Sequence, residues 1–70
     1  MITLSIIRSR LAEALTHCGM TQTAIAKALK ISQSNISHYI DGSKTPSLVN
    51  FAKLCELLDL DIEYILGIKN

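Results

Sequence analysis

The chain has 70 residues, with seven Lys and Arg against six Asp and Glu for a formal charge of +1, and 49% of the residues are hydrophobic. This length predicts one small domain over residues 1–70 and excludes a deep enclosed pocket for a large substrate. The chain has no apolar run of about 18 residues and no secretory signal, so we expect a cytoplasmic protein. Cys18 and Cys55 are then expected to be reduced thiols.

Charge is distributed unevenly along the chain. Residues 1–50 carry five basic and two acidic residues, a net charge of +3, whereas residues 51–70 carry two basic and four acidic residues, a net charge of −2. A basic end suits an anionic partner. Because many solvated surfaces show the same polarity, charge alone does not identify that partner.

Every segment between the turns has a helical pattern, and we expect an all-α, compact five-helix bundle. In the first helix, which Gly19 ends, apolar residues recur at spacings of three and four: Leu4, Ile7, Leu11, Ala14, Leu15 and Cys18. The later helices follow capping residues: Thr21 before Gln22–Leu29, Ser32 before Gln33–Ile40, Ser47 before a helix through Leu58, and Asp61 before a helix to Leu66, which Gly67 ends.

The second and third helices are separated by about three residues, a spacing that lets one helix project into a DNA major groove. A helical wheel of the third helix places Ile36, Tyr39 and Ile40 on one side and a polar stripe on the other: Gln33, Ser34, Ser37 and His38. The stripe has no long charged side chain, although solvated helices favour Lys and Glu. Its donors and acceptors suit base edges. The alternative is an ordinary polar surface helix.

Four segments, residues 21–29, 31–39, 42–48 and 60–67, resemble the helix-turn-helix of lambdoid phage repressors and Cro proteins, an XRE-type DNA-binding domain. The resemblance covers about residues 8 to 67. It implies a lambda-repressor-like fold whose helix-turn-helix is formed by helices 2 and 3. It also implies a homodimer on double-stranded operator DNA in the nucleoid of a bacterial host, with no cofactor, metal, membrane or small-molecule ligand. Repression is implied, and activation stays open.

The resemblance also implies site residues. Base contacts would come from Gln33, Ser34, Ser37 and His38, and DNA-backbone contacts from Gln22, Lys27, Asn35, Ser43 and Lys44. Gln22 would in addition support Gln33, the first side chain of the recognition helix. The contact between subunits would involve Tyr64, Ile65 and Ile68, and the alternative is that some of these residues close the core over the first helix.

Three positions depart from the family pattern. Lys30 occupies a turn position where Gly is common, so either a strained left-handed backbone or a different turn is expected. Leu15 and Ile40 replace a frequent Arg–Glu ion pair, and we expect them to touch in the core. Asp41 is a carboxylate where small uncharged residues are common. We expect it to accept backbone N–H groups of the following turn rather than contact DNA.

The same residues give little support to catalysis or to zinc binding. Ser37 and His38 are adjacent on a helix, so their side chains diverge, and catalysis is not expected. His17, Cys18, His38 and Cys55 lack zinc-ligand spacing. A helical protein-interaction module, or the DNA-binding antitoxin-type subunit of a protein complex, remains the alternative. The chain is expected to be a complete Cro-like protein or the N-terminal domain of a longer repressor.

Overall fold

The computed structural model describes all 70 residues and contains five helices: α1 (Leu4–Thr16), α2 (Gln22–Leu29), α3 (Gln33–Ile40), α4 (Leu48–Leu58) and α5 (Ile62–Leu66). The predicted all-α, five-helix fold is confirmed. None of the helices has the length and apolar character needed to cross a membrane.

Each helix begins at a side chain that accepts a hydrogen bond from a backbone N–H of the first turn. The predicted N-caps Thr21, Ser32, Ser47 and Asp61 are confirmed, and Thr3 caps α1 in the same way. These oxygens satisfy N–H groups that have no partner within the helix. The start of every helix is therefore set by local hydrogen bonding.

The first helix ends earlier than its apolar pattern predicts. His17 leaves helical geometry at φ −106° and ψ 11°, so α1 closes at Thr16. Cys18 lies in the turn that follows, where its thiol donates to the carbonyl oxygen of Leu15 at 3.1 Å. Gly19 follows at φ 84°. The apolar spacing continued to Cys18 because that side chain packs against the core from the turn.

The turn between α2 and α3 has the left-handed backbone that a family glycine would adopt. Lys30 has φ 56° and ψ 40°, and the N–H of Ile31 closes the end of α2 on the carbonyl of Ala26 at 3.1 Å. Of the two expectations for Lys30, the strained left-handed backbone is the one that is found. Asp59 ends α4 in the same conformation, at φ 52°. Non-glycine residues pay about 1 kcal/mol for this geometry.

The core draws side chains from all five helices. Its buried members are Leu11, Leu15, Ile25, Ala26, Ile36, Tyr39, Phe51, Leu54, Cys55 and Ile65. Helices α1 and α2 both pack against α3. Leu15 is buried, and Ile40 is half-buried against the same core. Both apolar side chains thus pack against the core, and neither lies in solvent.

The C-terminal segment is tied to α1 by Arg10. Its guanidinium donates to the carbonyl oxygens of Tyr64 and Lys69, at 2.5 and 3.0 Å, and lies 4.3 Å from the centroid of the Tyr64 ring. Lys69 in turn lies 3.1 Å from Asp61, the N-cap of α5.

Both cysteines are free thiols, as predicted, and burial raises the pKa of Cys55.

Candidate nucleic-acid interface

The polar stripe of α3 lies on the surface at one end and is partly enclosed at the other. Gln33 and Ser34, on the first turn, are exposed, whereas Ser37 and His38, on the second turn, are half-buried. Ile36 and Tyr39 on the opposite side are buried in the core. The helix therefore has one face anchored by apolar packing and one face that displays hydrogen-bonding groups.

The first residue of α2 is bonded to the second turn of α3. The Ser37 hydroxyl donates to Oε1 of Gln22 at 2.5 Å. The resemblance implied that Gln22 supports Gln33, and this stays a prediction, since the side-chain bond of Gln22 in the free protein is to Ser37. The amide NH₂ of Gln22 remains a donor at the N-terminus of α2, where the helix dipole favours an anion.

The loop after α3 is closed by hydrogen bonds among three neighbouring residues. The N–H of Ser43 donates to Oδ1 of Asp41 at 2.8 Å, as predicted for this carboxylate. Nδ1 of His38 lies 3.0 Å from the Ser43 hydroxyl and 3.9 Å from Oδ2 of Asp41. The pKa of Asp41 is lowered, and the largest cause is its hydrogen bond with the Ser43 side chain. The hydrogen bond from the Ser43 backbone N–H lowers the pKa further, burial raises it, and the nearby His38 lowers it slightly.

The same loop is held against α1 by an arginine that sequence analysis did not place in the site. Nε of Arg8 donates to the Thr45 hydroxyl at 2.9 Å. Arg8 and Asp41, together with Ser5 and Ser9, line an open polar cleft between α1 and the loop. Arg8 contributed to the basic charge of the first half of the chain, but no sequence pattern relates residues 37 positions apart.

The predicted DNA-backbone residues occupy two regions beside α3. Lys27 is exposed on α2, and Asn35 is half-buried on the first turn of α3. Ser43 and Lys44 are exposed in the loop, where the N–H groups of both residues donate to the carbonyl of His38, at 3.0 and 3.3 Å. Gly42 makes this tight closure with φ 78°.

The three residues expected at a subunit contact have different surroundings. Ile68 is 58% exposed, and Tyr64 is half-buried beneath Arg10. Ile65 is only 1% exposed, and its assignment to a subunit contact is corrected, because its side chain fills the core of its own chain.

A second exposed apolar surface, apart from Tyr64 and Ile68, lies on the α4–α5 side. Leu48, the first residue of α4, is 83% exposed, and Ile62, the first residue of α5, is 46% exposed. With Phe51 and Leu66 they line an apolar groove between the two helices. A pattern of spacing identifies an apolar face but does not reveal how much of it a neighbouring helix covers.

The residues weighed for other chemistry are not brought together. Ser37 bonds to Gln22, and His38 bonds to Ser43, so the adjacent serine and histidine are not paired with each other. No group of three or more His, Cys, Asp or Glu side chains converges to hold a metal ion.

A profile of the family described as helix-turn-helix matches residues 11–65. Neither a curated protein nor a solved structure matches the chain. The matched segment starts in α1, ends in α5 and contains the whole of the α2–turn–α3 unit with its exposed polar stripe. The chain therefore belongs to the XRE-type helix-turn-helix family of DNA-binding transcription regulators.

Proposed function

We propose that the protein binds one operator sequence as a homodimer and represses transcription, in the manner of Cro and the phage repressors. Residues 1–70 would act as a single DNA-binding domain. The observation that carries the proposal is the face of α3, where Gln33 and Ser34 are exposed and uncharged on a helix anchored by buried apolar residues. Bound over a promoter, such a protein blocks access of polymerase.

Gln33 is the first candidate for reading a base. Its exposed amide lies on the first turn of α3 and has the donor and acceptor pair that matches N7 and N6 of adenine. Ser34 lies beside it and suits several bases. Ser37 and His38 lie one turn further along, where each already has one protein partner and one side left for DNA. Specificity for the operator sequence would then arise from these four side chains of α3, which are short or uncharged.

The groups around α3 supply contacts to phosphate. The amide of Gln22 lies at the N-terminus of α2, and Lys44 lies in the loop after α3, so the two flank the recognition helix in sequence and in space. Lys27, Asn35 and Ser43 add a charge and two uncharged donors. Contacts of this kind fix the register of the protein on the duplex, whereas base contacts choose the sequence.

The exposed apolar groove supports the homodimer. Leu48 and Ile62 project from the α4–α5 side with most or nearly half of their surface in solvent. A two-fold contact through this surface would bury it and leave α3 of each subunit free. Half-sites about 34 Å apart, one helical turn of DNA, would suit such a dimer. Tyr64 and Ile68 lie near the same end of the chain and would extend the contact.

The same groove favours a second candidate function. A DNA-binding antitoxin-type subunit, or a helical interaction module, would use Leu48 and Ile62 to bind a different protein. This candidate predicts that the isolated chain stays monomeric at micromolar concentration. A dimer that dissociates on Leu48→Asp, with an unchanged helical spectrum, would favour the homodimer. The matched control is Val49→Asp, also exposed on α4 but absent from the groove lining.

Selection of preferred duplexes from a random-sequence pool tests the proposed function. The expected product is an inverted repeat with half-site centres about 10–11 base pairs apart, bound with an affinity that falls as salt rises. Recovery of no preferred sequence, with binding insensitive to salt, would contradict the proposal and favour the protein-interaction module.

A further inference from the structure

The last turn of α3 holds an imidazole whose two nitrogens have different surroundings. Nδ1 of His38 lies 3.0 Å from the Ser43 hydroxyl oxygen and 3.9 Å from Oδ2 of Asp41. Nε2, on the other edge of the ring, makes no hydrogen bond within the protein, and the side chain is 40% exposed. The protein therefore fixes one nitrogen and leaves the other for a ligand.

The surroundings of Ser43 determine which nitrogen carries the proton when the ring is neutral. The Ser43 hydroxyl lies 3.4 Å from the carbonyl oxygen of His38 and beside the Asp41 carboxylate, and both of these groups only accept hydrogen bonds. We expect the hydroxyl proton to point to one of these acceptors and the hydroxyl oxygen to accept from Nδ1–H. If the hydroxyl donated to Nδ1 instead, its lone pairs would face the carboxylate. Neutral His38 thus has a lone pair on Nε2.

Asp41 is the carboxylate that holds this arrangement. Its Oδ1 is anchored by the Ser43 N–H at 2.8 Å. The elements around His38 carry seven charged side chains: Arg8, Arg10 and Glu13 on α1, Lys27 on α2, Lys30 in the turn after α2, and Asp41 and Lys44 in the loop after α3. Of the acidic groups, only Asp41 lies within ion-pair distance of the imidazole, at 3.9 Å. The carboxylate therefore favours a proton on Nδ1 in both charge states.

We infer that His38 reads one base pair of the operator differently in its two charge states. With a lone pair on Nε2, neutral His38 accepts from the amino group of adenine or cytosine, whereas the protonated ring donates from Nε2 to N7 of guanine or adenine, to O6 of guanine or to O4 of thymine. Histidine ordinarily changes charge between about pH 5 and 8. The inference rests on the proposed function, since it requires α3 to lie in the major groove.

A measurement without DNA tests the tautomer. Nitrogen chemical shifts of the two imidazole rings, recorded at pH 8.5 on ¹⁵N-labelled protein, report which nitrogen of each ring is protonated. We expect neutral His38 to be protonated mainly on Nδ1, and His17, exposed after α1, is the reference ring. Asp41→Asn retains an acceptor for the Ser43 N–H but removes the charge, so it should shift His38 toward the Nε2–H form. A wild-type ring protonated mainly on Nε2 would overturn the inference.

Duplex selection at pH 8.5 and pH 5.5 tests the consequence for DNA. At one base pair of each half-site, the affinity for guanine or thymine relative to cytosine should rise by about five-fold or more when the pH falls from 8.5 to 5.5. Adenine offers both a donor and an acceptor and therefore suits either charge state. The change should persist in His17→Gln and vanish in His38→Gln, whose amide both donates and accepts at either pH. Unchanged relative affinities for cytosine, guanine and thymine at the two pH values would overturn the inference and leave the proposed function standing. The absence of any operator would contradict both.

Discussion

The Ser37 hydroxyl donates to Oε1 of Gln22 at 2.5 Å and so joins the recognition helix to the first residue of the preceding helix. One residue is expected to face bases and the other a phosphate, and the bond makes them a single unit. The amide NH₂ of Gln22, which donates, remains available to a phosphate oxygen while its Oε1 accepts from Ser37.

Gln22→Glu separates these two roles. A carboxylate still accepts from Ser37, but the amide donor is lost and a negative charge is placed beside the DNA backbone. We expect a nearly unchanged unfolding temperature and a loss of about 1.5–3 kcal/mol in binding to every duplex, which anisotropy titrations on operator and scrambled DNA would measure. Thr23→Glu, one residue along α2, is the control for charge alone. A loss restricted to the operator would contradict the phosphate assignment.

The apolar pair Leu15 and Ile40 provides a stability test. Leu15 is 2% exposed, so Leu15→Arg places an unpaired charge in the core and should cost about 3–5 kcal/mol in the free energy of unfolding. Adding Ile40→Glu supplies an opposite charge and should recover part of that loss. Urea unfolding of the wild type, both single variants and the double variant would measure the coupling. Additive losses would show that the two side chains do not face each other.

The left-handed turn at Lys30 is a second stability test. With φ 56°, Lys30 occupies a conformation that glycine adopts without strain, and Lys30→Gly should raise the free energy of unfolding by about 1 kcal/mol. Ala28→Gly, exposed within α2, is the matched control and should lower it by about 1 kcal/mol. Thermal unfolding would distinguish the two. Destabilisation by both glycines would contradict the assigned turn geometry.

The sequence predicts those parts of the fold that depend on local hydrogen bonds. Thr21, Ser32, Ser47 and Asp61 cap helices where expected because each accepts from an N–H only three residues away. The Asp41 turn was predictable for the same reason.

Features set by tertiary placement were not predictable. Gln22 binds Ser37, and Arg8 reaches Thr45, because the helices bring these distant side chains together. Ile65 is buried and Leu48 is exposed because coverage depends on how α4 and α5 pack against the other helices. A helical wheel describes one helix and carries no information about its neighbours.

We propose that the exposed face of α3 reads the DNA sequence and that the loop after α3 binds phosphate. Affinities of wild type, Gln33→Ala and Lys44→Ala for the selected operator and a scrambled duplex, at two salt concentrations, test this most directly. Gln33→Ala should lose about 1–3 kcal/mol on the operator and little on scrambled DNA, whereas Lys44→Ala should weaken both equally and reduce the salt dependence. Equal losses on the two duplexes for Gln33→Ala, or no loss on either, would contradict the claim.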